Sequence, residues 1–340
     1  MEAGAQPALQ PLGAVELLRQ VLVLYRRHFW TLLSAALVVM GPLAALNLVG
    51  YAATLAQLSS PALFGTPSQP ASPSAAMTAL LALMSSLCAG LLALGLGVLA
   101  PWMGGALTYG SIERMLGRRP GWRLAYRASL PRWPSLWGAN FARQVVLALC
   151  LLPLMAMLYG LLAAMALGRS APGDVVSGAA GLLAVCSPVA LLGLALALIA
   201  GVHWSLSEPV IVGESAGAMK SLSRSSALVA GMRWRMLGRL LILWLAQAVL
   251  TVLPSSALSW AAFAWSAEPI PAGGWAPAVF VALSLFVSAA SVIYAPFHAL
   301  YVTANYLDLR VRKERLGEQL RSMAWQQSDG FWQDDASGGL

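Results

Sequence analysis

From His28 through Ile112 the chain carries no Asp, Glu, Lys or Arg, and residues 144–168, 175–207, 240–267 and 269–307 are equally free of them. A helix crossing a bilayer core about 30 Å thick needs about 20 apolar residues. Each gap is long enough for one such helix, and the first for two. A soluble helical domain places charge on the outer face of every helix, so helices uncharged all round over these lengths exclude it. Only 10% of the 340 residues are charged, against about 25% in an ordinary soluble domain. The expected fold is all-α and polytopic, with six transmembrane helices and amphipathic cytoplasmic surface helices. The expected spans are about 30–58, 75–101, 136–167, 176–204, 237–265 and 275–306, the second followed by a kinked extension from Pro101 to the charges at Glu113 and Arg114. They make a membrane domain over 30–306, between an N-terminal segment, 1–29, and a C-terminal helix with a disordered tail, 307–340.

The cations set the orientation. Of 21 Lys and Arg residues, all but Arg169 fall in the N-terminus, the loops near 113–136 and 205–238, the C-terminal tail or the adjoining helix ends. Basic residues in short loops stay on the cytoplasmic side, so both termini are expected there. Insertion thus accounts for the net charge of +8 without nucleic acid. The lipid bilayer, and anionic headgroups in particular, is the natural counter-charge. The N-terminal stretch lacks the short apolar run and cleavage motif of a signal peptide. Cys88, Cys150 and Cys186 all lie in apolar spans, where they read as small hydrophobes.

Between Leu12 and Phe29 the pattern is amphipathic. Leu12, Val15, Leu18, Leu22, Tyr25 and Phe29 share one face, opposite Glu16, Arg19, Gln20, Arg26 and Arg27. Such a helix suits either the membrane surface or the protein's own loops. Residues 1–11 read as disordered, and the loop after the first span, with Pro61, Pro67, Pro70 and Pro73, as flexible. Short turns holding Arg169 with Asp174, and Glu268 with Pro269 and Pro271, join the later pairs of spans.

The chain also repeats itself. Arg132-Trp133 and Arg233-Trp234 are each followed by a proline inside the next span, Pro153 and Pro254, and each follows a basic helical stretch, Trp122–Leu130 and Ala218–Val229. Tyr25–Trp30 is a looser third copy. In the even-numbered spans, Pro101-Trp102, Thr108, Glu113 and Arg114 lie over Pro296-Phe297, Thr303, Asp308 and Arg310, with the arginine slipped by one. The fourth span fits this pattern poorly. Three hairpins result, each led by a surface helix, a symmetry common in polytopic folds. Arg and Trp at the mouth of a span anchor it at headgroup level, which makes Arg26, Arg27, Trp30, Arg132, Trp133, Arg233, Trp234 and Arg235 candidate interface anchors. Every span holds a proline, at Pro42, Pro101, Pro153, Pro188, Pro254 and Pro296, which implies kinks supported by neighbouring helices or trapped water, either static bends or marks of a moving pathway.

Candidate chemistry is thin. Asn140, Arg143 and Gln144 share a face of the third span and form the one candidate intramembrane polar cluster; His203 and Glu208 end the fourth span, and His298 and Asn305 share a face of the sixth. The histidines fall in no metal-ligand pair, no phosphate-binding glycine signature occurs, and no cofactor is expected. Gly90, Gly95, Gly97, Gly104 and Gly105 suit close helix packing.

Ser207–Glu214 (SEPVIVGE), Ser221–Leu241 with its Arg-Ser-Ser and Gly-Met-Arg-Trp-Arg, and Tyr306–Glu314 (YLDLRVRKE) together resemble the polytopic membrane domain of bacterial glycerophosphodiester phosphodiesterases and its stand-alone relatives. The resemblance implies about six helices in a bacterial cytoplasmic (inner) membrane. It carries over no catalytic residue, because the soluble phosphodiesterase barrel of that family is not found in these 340 residues. Ser226 also stands where that pattern has tryptophan. The expected function is that of a non-catalytic scaffold or accessory subunit, working with a membrane protein partner or as a homo-oligomer. The alternatives are an uncoupled transporter or channel for a small or lipid-like solute, and an intramembrane enzyme using His203 or His298.

Overall fold

The computed structural model describes residues 13–58, 73–118, 120–167, 174–267 and 276–314. The expectations for residues 1–11, the proline-rich loop, Arg169, the turn at Glu268 and the tail beyond Glu314 lie outside them. All regular structure among the described residues is helical: α1 (Ala14–Arg27), α2 (Phe29–Leu58), α3 (Pro73–Met115), α4 (Trp122–Ser129), α5 (Trp133–Leu167), α6 (Asp174–His203), α7 (Ser207–Glu214), α8 (Ala218–Val229), α9 (Arg233–Gln247), α10 (Leu253–Ala267) and α11 (Ala276–Glu314). Six helical stretches are long and apolar enough to cross a membrane: Phe29–Thr54, Ala79–Met115, Trp122–Leu158, Cys186–Glu214, Arg233–Ala261 and Ala278–Glu314. The chain is a multi-pass membrane protein.

It divides into two compact units, one of Met1–Trp133 with Gly238–Leu340 and one of Pro134–Leu237. In the first, α2 packs on α3 and α11, and α4 caps α2 and α3. Small side chains at Ala35, Ala36 and Ala106 are fully buried between larger ones at Leu32, Leu107 and Tyr126, which lets backbones approach closely in a setting with no hydrophobic drive between helices. Tyr126 donates to the Ala35 carbonyl at 2.8 Å, so its hydroxyl is buried with a partner.

In α1, Leu17 and Val21 are buried, while Val15 and Leu22 of the expected apolar face are exposed; α1 packs along α11 and α2 and leaves that face outward. Among the glycines, Gly95 lies against Leu43 of α2, but a side chain on Gly90 or Gly97 would meet nothing. The kinked extension expected after Pro101 belongs to one helix, α3, that runs on to Met115. Gly117 ends it with φ +83°. Arg118 N–H then bonds Glu113 O at 2.9 Å and Gly117 N–H bonds Arg114 O at 3.1 Å, the paired bonds of a Schellman stop.

Pro42, Pro101, Pro153, Pro188 and Pro296 lie inside helices that continue through them. Two have a partner arranged for the carbonyl three residues upstream. Trp133 Nε1 donates to Val98 O at 3.1 Å, and Tyr25 Oη donates to Ile293 O at 2.8 Å. Burial pushes the Tyr25 hydroxyl up to about 12. Ahead of Pro254 the backbone adopts a π-helical stretch, Ala248–Val252, a common device where a helix loses a regular hydrogen bond.

In the second unit α8 docks on α7 and on α6, burying Ser221, Leu222, Ser225, Leu228 and Val229. At Gly193 of α6 any side chain would overlap the Cys150 carbonyl of α5; this close approach was missed among the glycines singled out from sequence.

Candidate functional site

The polar groups gather at the basic ends of the helices. In α11, Tyr301, Asn305, Asp308 and Arg312 recur at helical spacing and so share one face. Asp308 is 4% exposed and faces Arg239 of α9, which is 2% exposed. Arg239 Nη1 donates to Asp308 Oδ2 at 2.8 Å and to Asn305 Oδ1 at 3.0 Å. Arg312 Nε donates to both oxygens of Asp308 at 3.0 and 3.1 Å. Asn305 Nδ2 returns to Tyr301 O at 2.8 Å, and Tyr301 Oη donates to Arg239 O at 3.0 Å. The motif stretch Tyr306–Glu314 thus forms a closed lock, finished by Arg310, which donates to Glu314 at 2.9 Å and to the Tyr306 hydroxyl at 3.2 Å. Two arginines surround one carboxylate, and the group ties α9 to α11.

Sequence reading missed this lock, because Arg239 was counted as an adjoining helix end and Asp308 as the start of a tail. The available signal was Arg239 itself, a cation inside the start of an expected span, which needs a counter-charge.

At the end of α3 the buried ion is instead Arg114. Its guanidinium donates to Gly110 O at 2.9 Å, Pro120 O at 3.2 Å and Thr31 Oγ1 at 3.3 Å. Glu113 points to Arg118 at 3.3 Å.

In the second unit Ser225 Oγ donates to His203 O at 2.6 Å and accepts from Leu206 N–H at 3.2 Å, fixing α8 to the turn after α6. Arg224 is bidentate to Glu214 at 3.0 and 3.4 Å. The expected cluster of Asn140, Arg143 and Gln144 is only partly assembled. Arg143 Nη2 bonds Asn140 Oδ1 at 3.0 Å and lies 4.0 Å from Glu208, whereas Gln144 is exposed. His298 lies against the Tyr294 ring at 5.9 Å.

The interface candidates divide. Arg26, Arg27, Trp30, Arg233, Trp234 and Arg235 are exposed, while Arg132 and Trp133 are half-buried. A groove of about 300 Å³ runs between Leu198, Ile199, Val202 and His203 of α6 and Arg233, Trp234 and Leu237 of α9. His203 Nε2 is buried there with no hydrogen-bond partner. Among the described residues no three His, Cys, Asp or Glu side chains are grouped as for a metal ion.

No curated protein matches the chain, and no solved structure does. Residues 123–309 match the family model described as a domain of unknown function, DUF7847. They take in the lock at Arg239 and Asp308, the serine bridge at Ser225 and the groove beside His203, and they make up more than half of the chain, which therefore belongs to the DUF7847 family.

Proposed function

We propose that this protein is a non-catalytic integral membrane protein of the bacterial cytoplasmic membrane, with both termini cytoplasmic. It acts as a scaffold or accessory subunit in membrane or envelope processes, alongside a membrane protein partner or further copies of itself. One observation carries this reading: the ionisable groups drawn into the bundle, Arg239 and Asp308, pair with each other and with Asn305 and Arg312. Pumps and coupled transporters keep such groups where a proton or cargo reaches them. The likeness of three motifs to the membrane domain of glycerophosphodiester phosphodiesterases supports a membrane module working beside a separate soluble activity.

The test is a purification from native membranes in mild detergent, paired with reconstitution into proteoliposomes. A partner at fixed stoichiometry, with no flux and no turnover above empty vesicles, is the expected result. Turnover of a phospholipid or peptide that a point substitution abolishes would overturn the proposal. A second reading, an uncoupled transporter or channel for a small or lipid-like solute, draws on the π-helical stretch Ala248–Val252 beside Pro254, a device found often at functional sites. Saturable flux in the same vesicles is its signature.

A further inference from the structure

The three hairpins treat the mouths of their first spans differently. At the first mouth Tyr25 donates to Ile293 O of α11; at the second, Trp133 donates to Val98 O of α3. Both acceptors belong to the last span of the preceding hairpin, taking the three in a ring. The third mouth, at Arg233-Trp234, should by this rule dock on α6. Trp234 does line a groove with α6, but it is 85% exposed and makes no hydrogen bond among the described residues. The groove is walled by Leu198, Ile199, Val202 and Leu237, with polar groups at His203, Arg233 and the Trp234 indole. Its volume falls at the small end of the range for ligand pockets.

From this geometry we infer that the α6–α9 groove is a binding site for one anionic phospholipid. An acyl chain lies along the aliphatic wall, and the headgroup phosphate sits on Arg233. Charge complementarity selects this occupant. Arg118, Arg143, Arg224, Arg310 and Arg312 each face a carboxylate, whereas Arg233 faces none among the described residues and carries its charge at the edge of an apolar slot. A phosphate supplies the missing counter-ion. Trp234 beside Arg233 is the usual pairing at headgroup depth. A zwitterionic lipid would bring its own cation to Arg233 and gain less. A transmembrane helix of another protein would fill the wall but leave the Arg233 charge as it is. The inference holds whether the protein is a scaffold or a transporter.

Native mass spectrometry of the full chain in detergent, titrated with dioleoyl phosphatidylglycerol or dioleoyl phosphatidylcholine, tests it. One phosphatidylglycerol should be retained in preference to phosphatidylcholine. Arg233→Ala should weaken it at least about fivefold, as expected for one cation near an anionic headgroup. Ile199→Trp, which fills the groove from an exposed position, should weaken both lipids. Lys220→Ala removes the same charge from an exposed site on α8 and should change binding less than about twofold. Equal retention of the two lipids would overturn the proposal, as would equal losses for Arg233→Ala and Lys220→Ala, which mean diffuse attraction alone. Lipid displaced by a co-purifying membrane protein, with Arg233→Ala without effect, would assign the groove to that protein instead.

Discussion

The ends of α3 and α11 follow one sequence plan and reach opposite electrostatics. Pro101 and Pro296 are buried, Thr108 and Thr303 are buried, and Trp102 and Phe297 are half-buried at matching places. One step further on they part. α11 buries its acid, Asp308, against Arg239; α3 pairs its half-buried acid, Glu113, with the exposed Arg118 and buries the cation Arg114 among carbonyls. The difference lies in what packs alongside. α9 brings an arginine to α11, whereas the loop at Pro120 and Thr31 of α2 bring only oxygens to α3. A repeat therefore conserves backbone geometry and apolar packing, and the neighbours decide which charge can be buried.

The largest predicted effect separates the two acids. Asp308→Asn leaves Arg239 buried with a neutral partner, and breaking a buried pair in this way costs about 3–5 kcal/mol. Glu113→Gln removes a pair whose arginine is exposed, worth less than about 1 kcal/mol. Unfolding in mixed micelles of increasing denaturing detergent measures both, and equal losses would mean that the lock is not a closed ion pair.

Next come the two proline-turn donors. Tyr25→Phe and Trp133→Phe each leave one carbonyl without its side-chain donor, at about 0.5–1.5 kcal/mol. Tyr25 has a second signature. Its folded value is raised from 10.0 to about 12 by burial, so its contribution is complete below pH 10 and is lost as pH rises through 12. Tyr25→Phe should remove that part of the alkaline limb of the stability curve, whereas Trp133→Phe, with nothing to titrate, should leave it intact.

Much of this was legible in sequence, and for a physical reason. A bilayer demands long uncharged helices, and such a demand is written residue by residue in the gaps between charges. The six helices follow from it. What stayed hidden depends on which helix lies beside which. Arg239 looks like one more basic residue at a helix start until α11 delivers Asp308. Gly193 is indistinguishable from Gly97 until α5 presents the Cys150 carbonyl. Trp133 and Trp234 read as equivalent anchors, since Arg-Trp and the proline that follows are identical signals, yet only Trp133 meets a carbonyl.

That last contrast sets the smallest expected stability effect and the sharpest test of the repeat. Trp133 holds Val98 O and is half-buried, so its indole N–H is part of the fold. Trp234 is 85% exposed, and its indole ends at a groove. Trp234→Phe should stay within about 0.5 kcal/mol of the wild type, as exposed substitutions do, against the larger loss at Trp133→Phe under the same conditions. Equal losses would mean that Trp234 docks on α6 as Trp133 docks on α3, closing the third mouth. A neutral result leaves the third mouth open, with the Trp234 indole at the groove rather than on the protein's own backbone.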